Sequence, residues 1–217
     1  MRKLFICLAN SKKYSGRCIA GVEINRTVWG YAIVCEGTKP LWVRPVSGQE
    51  HGQVEGGLVE RLRLLDVVEV ETVAAAPQGC QTENYTFIPA SLRVVDHIRH
   101  PHLLQEAAYT GRYLFDNTGK AVPADQVQFL DHSLLLIQPQ ELSIHTATTA
   151  RGEEQLRAVF GFAGRAHDLP ITDLGFIERY HQQGCPPFRP GRTFLTISLG
   201  LEHQGWHYKL VAGVIGL

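Results

Sequence analysis

Asn10-Ser11-Lys12-Lys13-Tyr14-Ser15-Gly16-Arg17 groups three cations, hydroxyls and a glycine within eight positions. Such a segment can aim backbone amides and positive charges at a phosphate. It is not a nucleotide P-loop, because the GxxxxGK[ST] spacing is absent. Trp42 and Arg44 lie two apart in Leu41-Trp42-Val43-Arg44-Pro45-Val46, so on a regular strand they share the face opposite Leu41 and Val43. An aromatic ring beside a guanidinium can stack a base and hold its phosphate. Lys12, Lys13, Arg17, Trp42 and Arg44 are therefore expected to line one groove. Gln81 and Asn84, in Gln81-Thr82-Glu83-Asn84-Tyr85, offer amides that read base edges or equally brace a loop.

Other constellations carry less. Glu50-His51 could do acid–base work only if both faced one pocket, and consecutive strand residues face opposite sides. His97, His100 and His102 bracket Pro101, but no carboxylate or cysteine is spaced to complete a metal site. Ser-His-Asp and Cys-His sets lack a local signature such as GxSxG. No catalytic residue, metal or cofactor is expected.

Strands must position these groups. Leu4 to Leu8, Trp29 to Val34, Leu41 to Val46 and Asp66 to Val73 are rich in apolar, β-branched and aromatic residues. Ala90 to Tyr109 reads as helix, with Leu92, Val95 and Ile98 at helical spacing and a break at Pro101. Further strands follow at Ser133–Ile137, Leu142–Thr148, Leu156–Phe162 and Arg165–Ile171, the last two joined by an Ala163-Gly164 turn. Asp173 to Gln183 reads as one short helix, capped by Asp173 or Thr172 and ended by Gly184. Thr193–Leu199 and Trp206–Ile215 close the chain as a hairpin. Strands, one short helix and a closing pair of strands follow the order of a small Greek-key OB barrel, which places its helix between the third and fourth strands. The fold expected is mainly β, with two tandem OB-like barrels: residues 1–90, a helical connector over 91–130, and residues 131–217.

Composition is that of an ordinary globular chain: 217 residues, 44% hydrophobic and 19% charged. The apolar stretch Leu4 to Ala9 is short and followed at once by Asn10, Lys12 and Lys13, which suits a buried first strand better than a secretion signal. The five cysteines, Cys7, Cys18, Cys35, Cys80 and Cys185, form no CxxC pair, so reduced thiols in a cytoplasmic protein are expected. Net charge is zero, which argues against strong non-specific binding to nucleic acid. The charge is uneven, however: residues 1–44 hold eight basic and two acidic residues. One basic face is permitted.

Three segments carry a resemblance. The first is Cys7-Leu8-Ala9-Asn10-Ser11-Lys12-Lys13 with Gly16-Arg17-Cys18-Ile19-Ala20-Gly21 and Trp42-Val43-Arg44-Pro45-Val46-Ser47. The second is Leu64-Leu65-Asp66-Val67-Val68-Glu69-Val70 with Gln81-Thr82-Glu83-Asn84-Tyr85. The third is Ser198-Leu199-Gly200 with Tyr208-Lys209-Leu210-Val211-Ala212-Gly213-Val214-Ile215. Together they resemble the dual OB-containing domain family, a prokaryotic group of about this length. That resemblance implies two OB-type barrels and a nucleic-acid-binding role, with no established reaction. The function expected is a non-catalytic module for nucleic acid or nucleotide, single strands favoured. The alternatives are a protein–protein adaptor docking a partner enzyme, and a small enzyme acting on a nucleotide derivative. No membrane partner is expected.

Overall fold

The computed structural model describes residues 1–13, 16–49, 51–149 and 151–217; of Lys13 only the backbone is described. Ten elements build the first half: β1 (Arg2–Lys13), β2 (Gly16–Thr27), β3 (Gly30–Ile33), β4 (Cys35–Glu36), β5 (Lys39–Pro40), β6 (Trp42–Val46), a helical turn α1 (Gly56–Val59), β7 (Asp66–Ala75), β8 (Asn84–Phe87) and β9 (Arg93–His97). The pairing order β1-β2-β6-β8-β7 returns to β1, so these five strands close a ring. β6 and β8 run parallel and the other ring pairs are antiparallel. This is the OB Greek key, with β6 as third strand, α1 after it, and β7 and β8 as fourth and fifth.

After α2 (His102–Ala107), β10 (Ala121–Pro123) and α3 (Ala124–Val127) the pattern repeats. β11 (Leu134–Ile137) and β12 (Leu142–Thr148) together play the first strand: β11 pairs with the late strand β15 (Thr193–His203), and β12 with β13 (Glu154–Phe162). β14 (Arg165–Pro170), α4 (Leu174–Gln183) and β16 (Trp206–Gly216) complete the set. Closure here is only partial, through the single parallel bridge Ile171–Val211. The second unit is therefore a half-barrel beside a closed one.

The expected helix over Ala90–Tyr109 is corrected. Arg93–His97 is a strand paired with β7, which carries the first sheet into the span expected as connector. Alternating β-branched residues there outweigh the weaker helical spacing. Pro101 begins α2 instead of ending a helix, since a first-turn residue needs no amide hydrogen. The polar segment from Asn10 to Arg17, read as able to aim backbone amides at a phosphate, lies in β1 and β2 at its described residues. β1 shifts register between Cys7 and Ala9, a bulge that bends it onward, and Asn10 Nδ2 donates to the carbonyls of Val59 and Leu62.

β1 and β2 are buried on both faces. Phe5, Cys7 and Ile19 fill the first barrel with Val43, Val68 and Phe87. Ile6, Leu8, Val22 and Ile24 point outward into a core shared with Leu136, Phe194 and Ile215 of the second unit. A strand with no wet face reads as a continuous apolar run, which is what Leu4–Ala9 is. Thr196 Oγ1 donates to the Leu8 carbonyl at 2.6 Å across this seam. Asp173 caps α4 by accepting from Phe176 N and also accepts from Val214 N, both at 3.0 Å, so it ties the helix to β16.

Gly213 permits the approach of the two barrels. A Cβ there would lie 2.1 Å from the Leu8 carbonyl oxygen. Gly213→Ala should force β1 and β16 apart and destabilise the fold by about 3 kcal/mol, the upper end of overpacking effects. Chemical denaturation checks this, and a wild-type midpoint would show that the seam is looser than described.

Candidate ligand cleft between the barrels

The first barrel's outer β6 face meets the second unit instead of solvent. Val43 points inward, and Trp42 and Arg44 point outward as the alternation predicts. Half-buried Trp42 packs on a small cluster of Ala9, Ala20, Leu134 and Ala212. Arg44 is only 1% exposed. Its Nη2 lies 2.9 Å from Glu83 Oε1 and donates to Ser133 Oγ at 2.9 Å; Ser133 Oγ in turn donates to Glu83 Oε1 at 2.5 Å. Arg44 Nε has no acceptor among the described residues. The second unit thus covers much of the first-barrel face on which one groove was expected.

What stays open is a cavity of about 310 Å³ between the units. One wall is the far end of the β1–β2 hairpin, with Ser11, Lys12 and Cys18, backed by Arg44 and Gln81. The facing wall is the β15–β16 hairpin, from Ser198 through His203 and at Tyr208, Leu210 and Ala212. Gln204 and Gly205 both take positive φ at its two-residue turn, the twist that fits a tight hairpin. Thr172 closes one side, where its carbonyl accepts from Lys12 N at 2.9 Å.

The residues expected to bind ligand thus separate. Lys12, Arg44 and Gln81 come together in the cavity. Asn84 is buried behind it, donating to Gln81 Oε1 at 3.3 Å. Arg17 is half-buried outside the cavity, and its backbone is paired both ways with Val54. The Lys13 side chain, Tyr14, Ser15 and Glu50 lie outside the described residues. His51 is half-buried in the turn after β6. His97 ends β9 with Nδ1 2.9 Å from Asp66 Oδ1, while His102 opens α2. Among the described residues no three His, Cys, Asp or Glu side chains are grouped to hold a metal.

A model of the dual OB-containing domain matches residues 3–214. The chain belongs to that family. The match spans both barrels, and all three segments of the earlier resemblance contribute to the cavity wall. No curated protein matches this dual OB chain. Among solved structures it is similar to the p204 HINb domain, at 10% identity over 97% of this chain and 96% of that one, with a TM-score of 0.38. It is also similar to a murine DNA binding protein bound with ds DNA, at 7% identity over 100% and 98% of the chains, with a TM-score of 0.32. Likenesses this distant carry no argument about function.

Ser198–His203, Thr172 and Tyr208 were not legible as site residues. Their only signal was that Ser198-Leu199-Gly200 and Tyr208 fall within the third resembling segment. Alternation along β16 sends Lys209 the other way, where it is 1% exposed and donates from Nζ to the Asn117 carbonyl at 2.7 Å. Burial pulls its ammonium down to about 8. Burial among the second unit's core residues likewise pushes the Cys80 thiol up to about 11 with help from Glu83, so it is protonated at neutral pH and a poor nucleophile. No helix among the described residues is long and apolar enough to cross a membrane.

Glu83→Leu should cost about 3–5 kcal/mol, because it leaves the Arg44 charge buried without its partner, whereas the double replacement Arg44→Met, Glu83→Leu should cost far less than Arg44→Met and Glu83→Leu summed. Additive losses in denaturation would show that the pair is not coupled. For Lys209 the unfolded value of about 10.4 exceeds the folded value of about 8. Between those pH values the unfolded chain binds the extra proton, so stability rises with pH there and levels off outside the window. Lys209→Met should lack that component of the rise, and identical pH profiles for both proteins would contradict it.

Proposed function

We propose that the protein is a non-catalytic module that binds single-stranded nucleic acid, or a nucleotide, in the cleft between its barrels. OB barrels take oligonucleotides on the face of their second and third strands and at the loops after strands one and four. In the closed barrel that region comprises β2, β6, the β1–β2 hairpin end and the segment holding Gln81. The observation that carries the reading is the convergence of Lys12, Arg44 and Gln81 with Tyr208 on one cavity. The cations suit a phosphate, the amide suits a base edge, and the tyrosine supplies a stacking surface.

The equivalent face of the half-barrel is a poorer candidate. Arg157 there is already engaged by the Asp168 carboxylate at 2.7 Å, the Asp168 carbonyl at 2.8 Å and Gln155 Oε1 at 2.9 Å. Arg17, paired with Lys12 across the hairpin, adds to the positive field beside the cleft. Trp42 and Asn84 support it from behind.

One observation favours the adaptor reading instead. Val28 and Trp29, at the tip joining β2 to β3, are 91% and 95% exposed. An apolar tip of this kind can anchor a protein interface. Binding of a short fluorescent oligonucleotide at two salt concentrations separates the readings. The nucleic-acid reading expects Lys12→Ala to weaken binding and reduce the salt slope by about one. It expects Tyr208→Ala to cost roughly 1–3 kcal/mol with little change in slope. Folded protein that binds no oligonucleotide at low salt would reject this reading and promote the adaptor.

A further inference from the structure

The cleft is small, about 310 Å³. Its walls are joined on one side where Lys12 N donates to the Thr172 carbonyl. They are joined again where Arg44 Nη2 donates to Ser133 Oγ. Thr82 Oγ1 extends that second seam by donating to the Asp131 carbonyl at 2.7 Å. A strand continuing past the Thr172 side of the cavity would have to part that junction. A strand end would not.

The walls also differ in chemistry. The first-barrel wall presents the exposed Lys12 ammonium and the buried Arg44, whose Nε–H lacks an acceptor among the described residues. The facing wall presents Glu202, His203 and the half-exposed ring of Tyr208. Glu83 already takes part of the Arg44 charge, and Glu202 repels anions from the facing wall. An anion is therefore favoured only on the first-barrel side. A carboxylate and an aromatic ring opposite suit the amino edge and the flat face of a base.

Resting on the nucleic-acid reading, we infer that the cavity captures the terminal nucleotide of a single strand, its end phosphate on Lys12 in the field of Arg44 and its base against Tyr208. Lys12 supplies an exposed ammonium for the phosphate, and the buried Arg44 behind it adds to the positive field. A free nucleoside monophosphate shares this chemistry, so the test must separate the two sources.

The experiment compares one oligonucleotide sequence as a linear strand with a terminal phosphate, as the same strand without it, and as a closed circle. A nucleoside monophosphate is added as a fourth probe. The phosphate should tighten linear binding by roughly tenfold, the circle should bind roughly tenfold more weakly still, and the monophosphate should compete. Lys12→Ala, an exposed position that leaves the Arg44 junction intact, should abolish the gain from the phosphate. A circle that binds as tightly as the phosphorylated strand overturns the inference and leaves the nucleic-acid reading standing. So does a phosphate gain that survives Lys12→Ala, which places the end elsewhere. Binding of the monophosphate alone overturns the strand end as source. Failure of every probe at low salt overturns both readings.

Discussion

A guanidinium group is expensive to take out of water, and Arg44 is out of water only because the two barrels meet around it. The first barrel supplies Arg44 and Glu83, and the second supplies the Ser133 hydroxyl that bridges them. Partial separation would leave the polar partners short of bonds in a region that has lost apolar cover. The triangle therefore favours one docked arrangement over neighbouring ones. Trp42, on the same face of β6, adds the apolar cover, and the exposed Lys39–Asp131 pair at 2.6 Å adds little because water screens it.

That docking determines where a ligand can enter. An isolated OB barrel offers a long open face. Here the face of β2 and β6 is partly occupied by β11 and β16, and the remaining opening is bounded by two hairpin ends. Gly213 sets how deep the second unit can seat, and the bulge near Leu8 bends β1 so that Ser11 and Lys12 arrive at the rim. Packing against a partner barrel has turned a binding surface into a walled cavity. The same residues that a lone barrel would present to solvent, Trp42 and Arg44, become its back wall and support.

Much of the fold was legible because its signals are local. The strand–helix–strand order of the second unit, the Asp173 cap and the Ala163-Gly164 turn each follow from a few neighbouring residues, and each is present. The side-chain alternation of β6 was read correctly, but its outward face was assigned to solvent. Nothing within Leu41–Val46 says that Ser133 and Leu134, some ninety positions away, will cover it. The helix expected over Ala90–Tyr109 failed for a related reason. β9 exists because β7 offers it an edge, and long-range pairing overrode local spacing. More than half of the cavity lining lies in the last twenty residues, Ser198 to Ala212, whose mixed polar and apolar types resemble any hairpin until the first barrel is placed opposite.

The central claim is that ligand sits between the barrels and not on an outer surface. Amide hydrogen exchange, followed residue by residue with and without a short single strand, tests it most directly. Protection concentrated at the end of the β1–β2 hairpin and along Leu199–His203 and Tyr208–Leu210 is the result this account predicts. Protection confined to the Val28-Trp29 tip, or to the outer face of β12–β14, would contradict it.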